Sequence, residues 1–166
     1  FPYQNSKNEL KLIFSNGNGF IIFHPDSIKD NTEIPPVYIT DFYLFNKPVP
    51  IGYDSLSKRI VLSKSIIECN EVELNFDDNV FAFEFAALDY HAPNKNKYAY
   101  KMEGFDNDWT FTDASRNIAT YTNLDPGEYT FRVKGSNNDG YWNENGASIK
   151  VIILPPWWRT NFAYLI

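Results

Sequence analysis

In the run Leu124-Asp125-Pro126-Gly127-Glu128-Tyr129-Thr130-Phe131-Arg132-Val133-Lys134 a turn gives way to a strand. Proline presets one backbone angle of the Pro126-Gly127 turn, and the glycine is expected to take a positive one. Tyr129, Phe131 and Val133 then alternate with Thr130, Arg132 and Lys134, the period of a half-buried strand. A tyrosine just past a turn at a strand's start reads as a tyrosine corner: ring in the core, hydroxyl bonded to backbone near Leu124. Asn137-Asn138-Asp139-Gly140 closes the strand with residues that bond their own backbone and tolerate left-handed angles.

Working outward, the same period recurs. Phe81, Phe83 and Phe85 alternate with Ala82, Glu84 and Ala86, which puts three rings on one face. Val72, Leu74 and Phe76 repeat it, as do Tyr98, Tyr100 and Met102, then Ile149, Val151 and Ile153. Val37 to Phe45 and Arg59 to Leu62 read as further strands, and Ser15-Asn16-Gly17-Asn18-Gly19 separates two short apolar runs as a hairpin would. No stretch carries a helical period with caps. About seven strands with turn signals between them predict an all-β protein: a two-sheet antiparallel β-sandwich of fibronectin type III or immunoglobulin-like kind.

Composition agrees. The 166 residues include 11 Tyr and 14 Phe, a ring-filled core for a sheet protein. The formal net charge of −6 argues against a nucleic-acid-binding surface. Cys69 is the single cysteine, so no internal disulfide can form. The chain starts on Phe1 without a leader pattern and stops on Asn161-Phe162-Ala163-Tyr164-Leu165-Ile166 in mid-pattern, and is read as a segment of something longer.

Catalytic chemistry finds little support. His24 and His91 each sit beside a proline in a turn, without metal-ligand spacing. Asp77-Asp78 and Asp106-Asn107-Asp108 pair carboxylates, but neither has a calcium-loop pattern, and such pairs usually solvate a turn. Gly17-Asn18-Gly19 precedes no helix and so makes no phosphate loop. No catalytic residue, cofactor or metal site is expected. The tryptophans allow two readings: Trp109 and Trp142 fill the sandwich and its loops, or they join Trp157 and Trp158 in a stacking platform for sugar rings. Trp157-Trp158 follows Pro155-Pro156 and precedes Arg159 and an apolar tail, the order of an interfacial aromatic anchor at a membrane. That tail is shorter than the ~20 residues a span requires.

Tyr98-Ala99-Tyr100-Lys101-Met102-Glu103-Gly104-Phe105-Asp106 with Trp109, Ala119-Thr120-Tyr121-Thr122-Asn123-Leu124, and Pro126-Gly127-Glu128-Tyr129-Thr130-Phe131 together resemble the three-tyrosine (Y_Y_Y) domain. Asp139-Gly140 with Trp142, and Pro155-Pro156-Trp157-Trp158, continue the match, which runs from about Val37 to Trp158. The resemblance implies a β-sandwich in the periplasmic sensor region of hybrid two-component regulators of Bacteroidetes, after β-propellers and before a transmembrane helix leading to a histidine kinase. It makes residues 1–33 the end of a last propeller blade plus linker, with a hairpin remnant. Residues 34–155 become the Y_Y_Y sandwich and 156–166 a juxtamembrane segment. It implies a non-enzymatic relay in the periplasmic part of an inner-membrane protein, dimeric in the full-length molecule. Glycans would be bound by the propellers rather than here. The motif residues would be Tyr98, Tyr100, Trp109, Tyr121, Leu124, Pro126, Gly127 and Tyr129, with Pro155, Pro156, Trp157 and Trp158 coupling to the membrane. The rival class is a carbohydrate-binding sandwich using exposed tryptophans.

Overall fold

The computed structural model describes residues 2–4 and 10–156, so Trp157, Trp158 and the apolar tail lie outside the described residues. Contacts divide the chain into two compact units, one up to Thr32 and one from Glu33. The first is a three-stranded antiparallel sheet of β1 (Pro2–Gln4), β2 (Leu10–Asn16) and β3 (Gly19–Phe23), in that order. Asn16 pairs with Gly19, leaving Gly17-Asn18 as a two-residue hairpin loop. Phe14 and Phe23 stack at 5.8 Å. The adjacent residues Phe20 and Ile21, which point to opposite faces, are 70% and 66% exposed.

The second unit holds two main sheets. Its strands are β4 (Val37–Leu44), β5 (Lys47–Pro48), β6 (Tyr53–Asp54), β7 (Arg59–Ile60), β8 (Glu71–Leu74), β9 (Val80–Ala87), β10 (Lys97–Glu103), β11 (Thr110–Asp113), β12 (Ile118–Thr122), β13 (Gly127–Ser136) and β14 (Trp142–Ile153). One sheet runs β11-β10-β13-β14-β8 and the other β12-β9-β4-β5, while β6 and β7 form a separate hairpin. This is the expected two-sheet sandwich, with one departure from purely antiparallel pairing: β8 runs parallel to β14. A turn at Asn75–Asn79 takes the chain from β8 in one sheet to β9 in the other, and that crossing sets the direction of β8.

Alternation decides what is buried. Phe81, Phe83 and Phe85 are all at most 1% exposed, and Phe131, Met102, Leu74 and Val151 are fully buried opposite or beside them. Phe83 stacks on Phe131 across the sandwich at 4.6 Å, and Phe42 packs on Phe83 at 5.1 Å. Phe76, expected to continue the Val72–Leu74 face, is instead 42% exposed, because the strand ends at Leu74 and the turn follows.

Two glycines are required by geometry. Gly146 has φ +54 and no room for a Cβ, which would fall 2.0 Å from the Val133 carbonyl oxygen where β13 and β14 slip register. Gly104 has φ +92 and lies under the ring of Tyr129, whose Cδ1 would stand 3.1 Å from a Cβ. Gly127 does not take the positive angle expected of it. It already belongs to β13, paired with Ile153, and the left-handed residue of that turn is Asn123 at φ 54.

Candidate functional site

The motif tyrosines form the inner wall of the sandwich at the open side between β10 and β12. The buried Tyr98 hydroxyl accepts a hydrogen bond from the Ala87 amide at 3.0 Å and so ties β10 to the end of β9. Tyr100 packs on Phe85 at 5.7 Å and on Phe131 at 6.2 Å, and burial raises its hydroxyl pKa. Tyr121 donates to Asp106 Oδ2 at 2.9 Å, and the same oxygen accepts the Met102 amide at 2.7 Å. Burial first, then that bond, holds the Tyr121 hydroxyl far above its ordinary value. Asp106 thus closes the Glu103–Asp106 turn and links the two sheets. The pattern around the motif gave no sign of that role.

Tyr129 makes the corner expected of it, one residue along from Leu124: its hydroxyl donates to the Asp125 carbonyl at 2.9 Å. Its ring is only half-buried, lying at the rim of the core over Gly104 rather than filling the centre. Leu124 is buried in the core, while Pro126 and Gly127 shape the approach to β13.

Trp109 and Trp142 do not fill the sandwich. Both are half-buried and stand outside the core cluster, on the outer face of the five-stranded sheet. Lys101 and Lys134 alternate with the inward residues of β10 and β13 and therefore point outward. Their ammonium groups lie 5.2 Å and 4.9 Å from the Trp109 ring centre, and Lys134 also lies 5.5 Å from that of Trp142. Phe111 meets Trp142 edge-on at 6.1 Å. Ion pairs complete the patch: Lys134 with Glu144 at 2.8 Å and Arg132 with Glu103 at 2.9 Å. Trp142 lies on that face because it pairs with Ser136 on the outward row of β13, and Trp109 sits there against the two ammonium groups.

The two ends of the second unit are held differently. At the incoming end, Asn137 Nδ2 donates to the Glu33 carbonyl and Asn143 Nδ2 to the Pro35 carbonyl, each at 2.9 Å, and the Leu88 amide donates to the Pro36 carbonyl. Asn137 is almost fully buried, and its Oδ1 accepts the amides of Asp139 and Tyr141, the self-bonded turn expected of Asn137–Gly140. At the outgoing end, β14 is paired on both sides, with β13 up to Ile153 and with β8, and the Leu154 amide donates to the Leu74 carbonyl. Exposed Pro155 and buried Pro156 follow directly.

The acidic pairs serve turns. Asp78 accepts the Arg59 guanidinium and the Asn75 amide. His24 lies 3.5 Å from Asp26 and His91 3.4 Å from Asp89, and among the described residues no three His, Cys, Asp or Glu side chains converge as a metal site would require.

Comparison with known proteins agrees with this architecture. Residues 89–154 match the Y_Y_Y domain family. A Formosa agariphila protein named histidine kinase P4 is 35% identical over 159 residues, which is 96% of this chain and 11% of that protein. Two solved extracellular domains are assigned to hybrid two-component systems of B. thetaiotaomicron. One is 30% identical with a TM-score of 0.66 over 93% of this chain and 20% of the other. The second is 27% identical with a TM-score of 0.63 over 94% and 20%. The chain therefore spans about a tenth of the curated relative and a fifth of the solved ones. Residues 89–154 of this chain are thus similar to the Y_Y_Y domain, and the chain as a whole is similar to extracellular domains of hybrid two-component systems.

Proposed function

We propose that this chain is a non-catalytic, membrane-proximal periplasmic module of a hybrid two-component sensor histidine kinase. It passes a rearrangement of upstream glycan-sensing propellers to transmembrane helices that follow Trp158, in a homodimer. Support comes from the names of the relatives and from one observation in particular. β14 is a single strand of 12 residues, about 40 Å long at the usual rise, with the Asn143 amide on the incoming chain at one end and Pro155-Pro156 beyond the other. β13 pairs along β14 and β8 pairs with its last four residues, Lys150 to Ile153, so the outgoing end is stiffened on both flanks, and Pro155 and Pro156 restrict the backbone where the strand ends.

The exposed apolar residues on both faces of β2 and β3 fit the reading of residues 1–33 as part of a propeller blade, since blades pack on both faces. A three-stranded ribbon alone covers neither face. The rival reading, a sugar-stacking platform, needs an open indole. Lys101 and Lys134 already occupy the Trp109 ring, and the patch's Lys134 and Arg132 are paired internally.

Replacing Pro155-Pro156 with Gly-Ser in the full-length sensor tests the relay. Ligand binding should persist while kinase output loses its dependence on ligand. Unchanged signalling would reject it.

A further inference from the structure

A β-sandwich of this topology has four edges, and three of them carry features that deter pairing. β5 consists of Lys47 and Pro48, β8 presents Glu71 and Glu73, and β11 is four residues long and ends on Asp113. β12 is the exception. Ile118-Ala119-Thr120-Tyr121-Thr122 contains no charge, no proline and no bulge against β9.

Its free backbone groups can be identified. The Phe85 amide donates to Asn117 O at 3.0 Å and the Asn123 amide to Asn79 O at 2.8 Å, both in the register of the β9–β12 pair. In an antiparallel ladder the bonded residues alternate, so Ala119 and Tyr121 also face β9. The N–H and C=O groups of Ile118, Thr120 and Thr122 therefore point away from the sheet, and none has a backbone partner among the described residues. Beside this edge lies a groove of about 260 Å³ between the sheets, lined by Thr110, Thr120, Thr122 and Asp106.

We propose that the free edge of β12 is the surface through which two copies of this chain associate, as antiparallel strands centred on Thr120. The proposal rests on the dimeric relay above and supplies its contact. A two-fold axis through Thr120 sets Thr120 opposite its own copy and Ile118 opposite the partner's Thr122, engaging every outward backbone group on both strands. No like charges meet, which matters for a chain of net charge −6. The two four-stranded sheets become one continuous sheet, and because a two-fold pairing uses the same edge on both copies, this contact closes at two.

The test is disulfide trapping in membranes containing the full-length sensor with Cys69→Ser. Thr120→Cys places the sulfurs across a hydrogen-bonded pair whose Cα separation of about 5.5 Å suits a disulfide. It should give about tenfold more disulfide-linked dimer than Thr112→Cys on the β11 edge, because only the first sits at the contact. Equal yields, a higher yield at position 112, or open-ended ladders of higher oligomers would overturn the β12 contact. Because the readout is a bond between copies and not kinase output, its failure leaves the relay to the Pro155-Pro156 experiment. A second variant, Ile118→Asp in the Thr120→Cys background, should leave the thermal midpoint of the 166-residue chain unmoved, since Ile118 is exposed, while lowering cross-linking through position 120; undiminished cross-linking would likewise overturn it.

Discussion

The aromatic rings of this domain fall into two groups that differ in what holds them. Phe83, Phe85 and Phe131 lie in the sandwich centre and touch other rings; Trp109 and Trp142 lie on the outer sheet face and touch lysines, with Phe111 edge-on to Trp142. The inner group is held by exclusion from water and fixes the distance between the sheets. The outer group is held by cation–π contacts on the sheet's outer surface and spans no gap between the sheets. A module that relays motion needs the first kind of packing along its whole length. The second kind adjusts one surface.

Phe83→Ala should break the comparison most heavily. Its ring is fully buried and stacks on Phe131 while touching Phe42, so the cavity should cost about 3–5 kcal/mol. Urea denaturation of the isolated chain measures it, and a loss below that of an outer-face substitution would refute the division. Trp109→Ala should cost much less, about 1–2 kcal/mol, since it forfeits two cation–π contacts at a half-exposed site. A further increment set by ionic strength is expected in the wild type and absent in the variant.

Tyr98→Phe and Tyr129→Phe separate buried from rim hydroxyls. Removing the Tyr98 hydroxyl leaves the Ala87 amide unpaired in the interior, at about 1–3 kcal/mol. The Tyr129 hydroxyl bonds a carbonyl that water can reach, so its loss should cost no more than about 1 kcal/mol. Thermal midpoints in that order support the distinction; the reverse order would mean that the corner bond carries the load.

The same two groups explain what could be read from the chain. Period two is a local signal, and it located Phe81, Phe83 and Phe85, the inward row of β10, and Ile149 to Ile153. The corner at Tyr129 was also local, with its acceptor only four residues away. Trp109 was not placed correctly, because it lies outside any strand and its contacts, Lys101 and Lys134, come from two separate strands. Asn137 was legible as a turn residue, but neither it nor Asn143 could be read as a tie, since their acceptors lie 104 and 108 residues upstream. The first half of β14 escaped notice because Trp142 to Gly146 pairs through a bulge that interrupts alternation.

The smallest expected effect concerns Tyr43, an outward-facing ring on the other sheet. It donates to Glu84 at 2.6 Å, and that bond, with burial second, pushes its hydroxyl from 10.0 up to about 12. The folded state therefore keeps a proton that the unfolded chain releases near pH 10. By linkage this stabilisation is complete below pH 10 and is lost as pH rises toward 12. Tyr43→Phe removes the ionisable group and should flatten the fall in stability over that window without altering it at pH 7 by more than about 1 kcal/mol. Tyr121 is the inner counterpart, held higher still by burial, so its proton should remain throughout. Tyrosine absorbance titration of the wild type should accordingly resolve Tyr43 leaving before Tyr121, with Tyr121 ionising only as the sandwich unfolds. Release of both protons together, ahead of unfolding, would show that water reaches the inner wall as freely as the outer face.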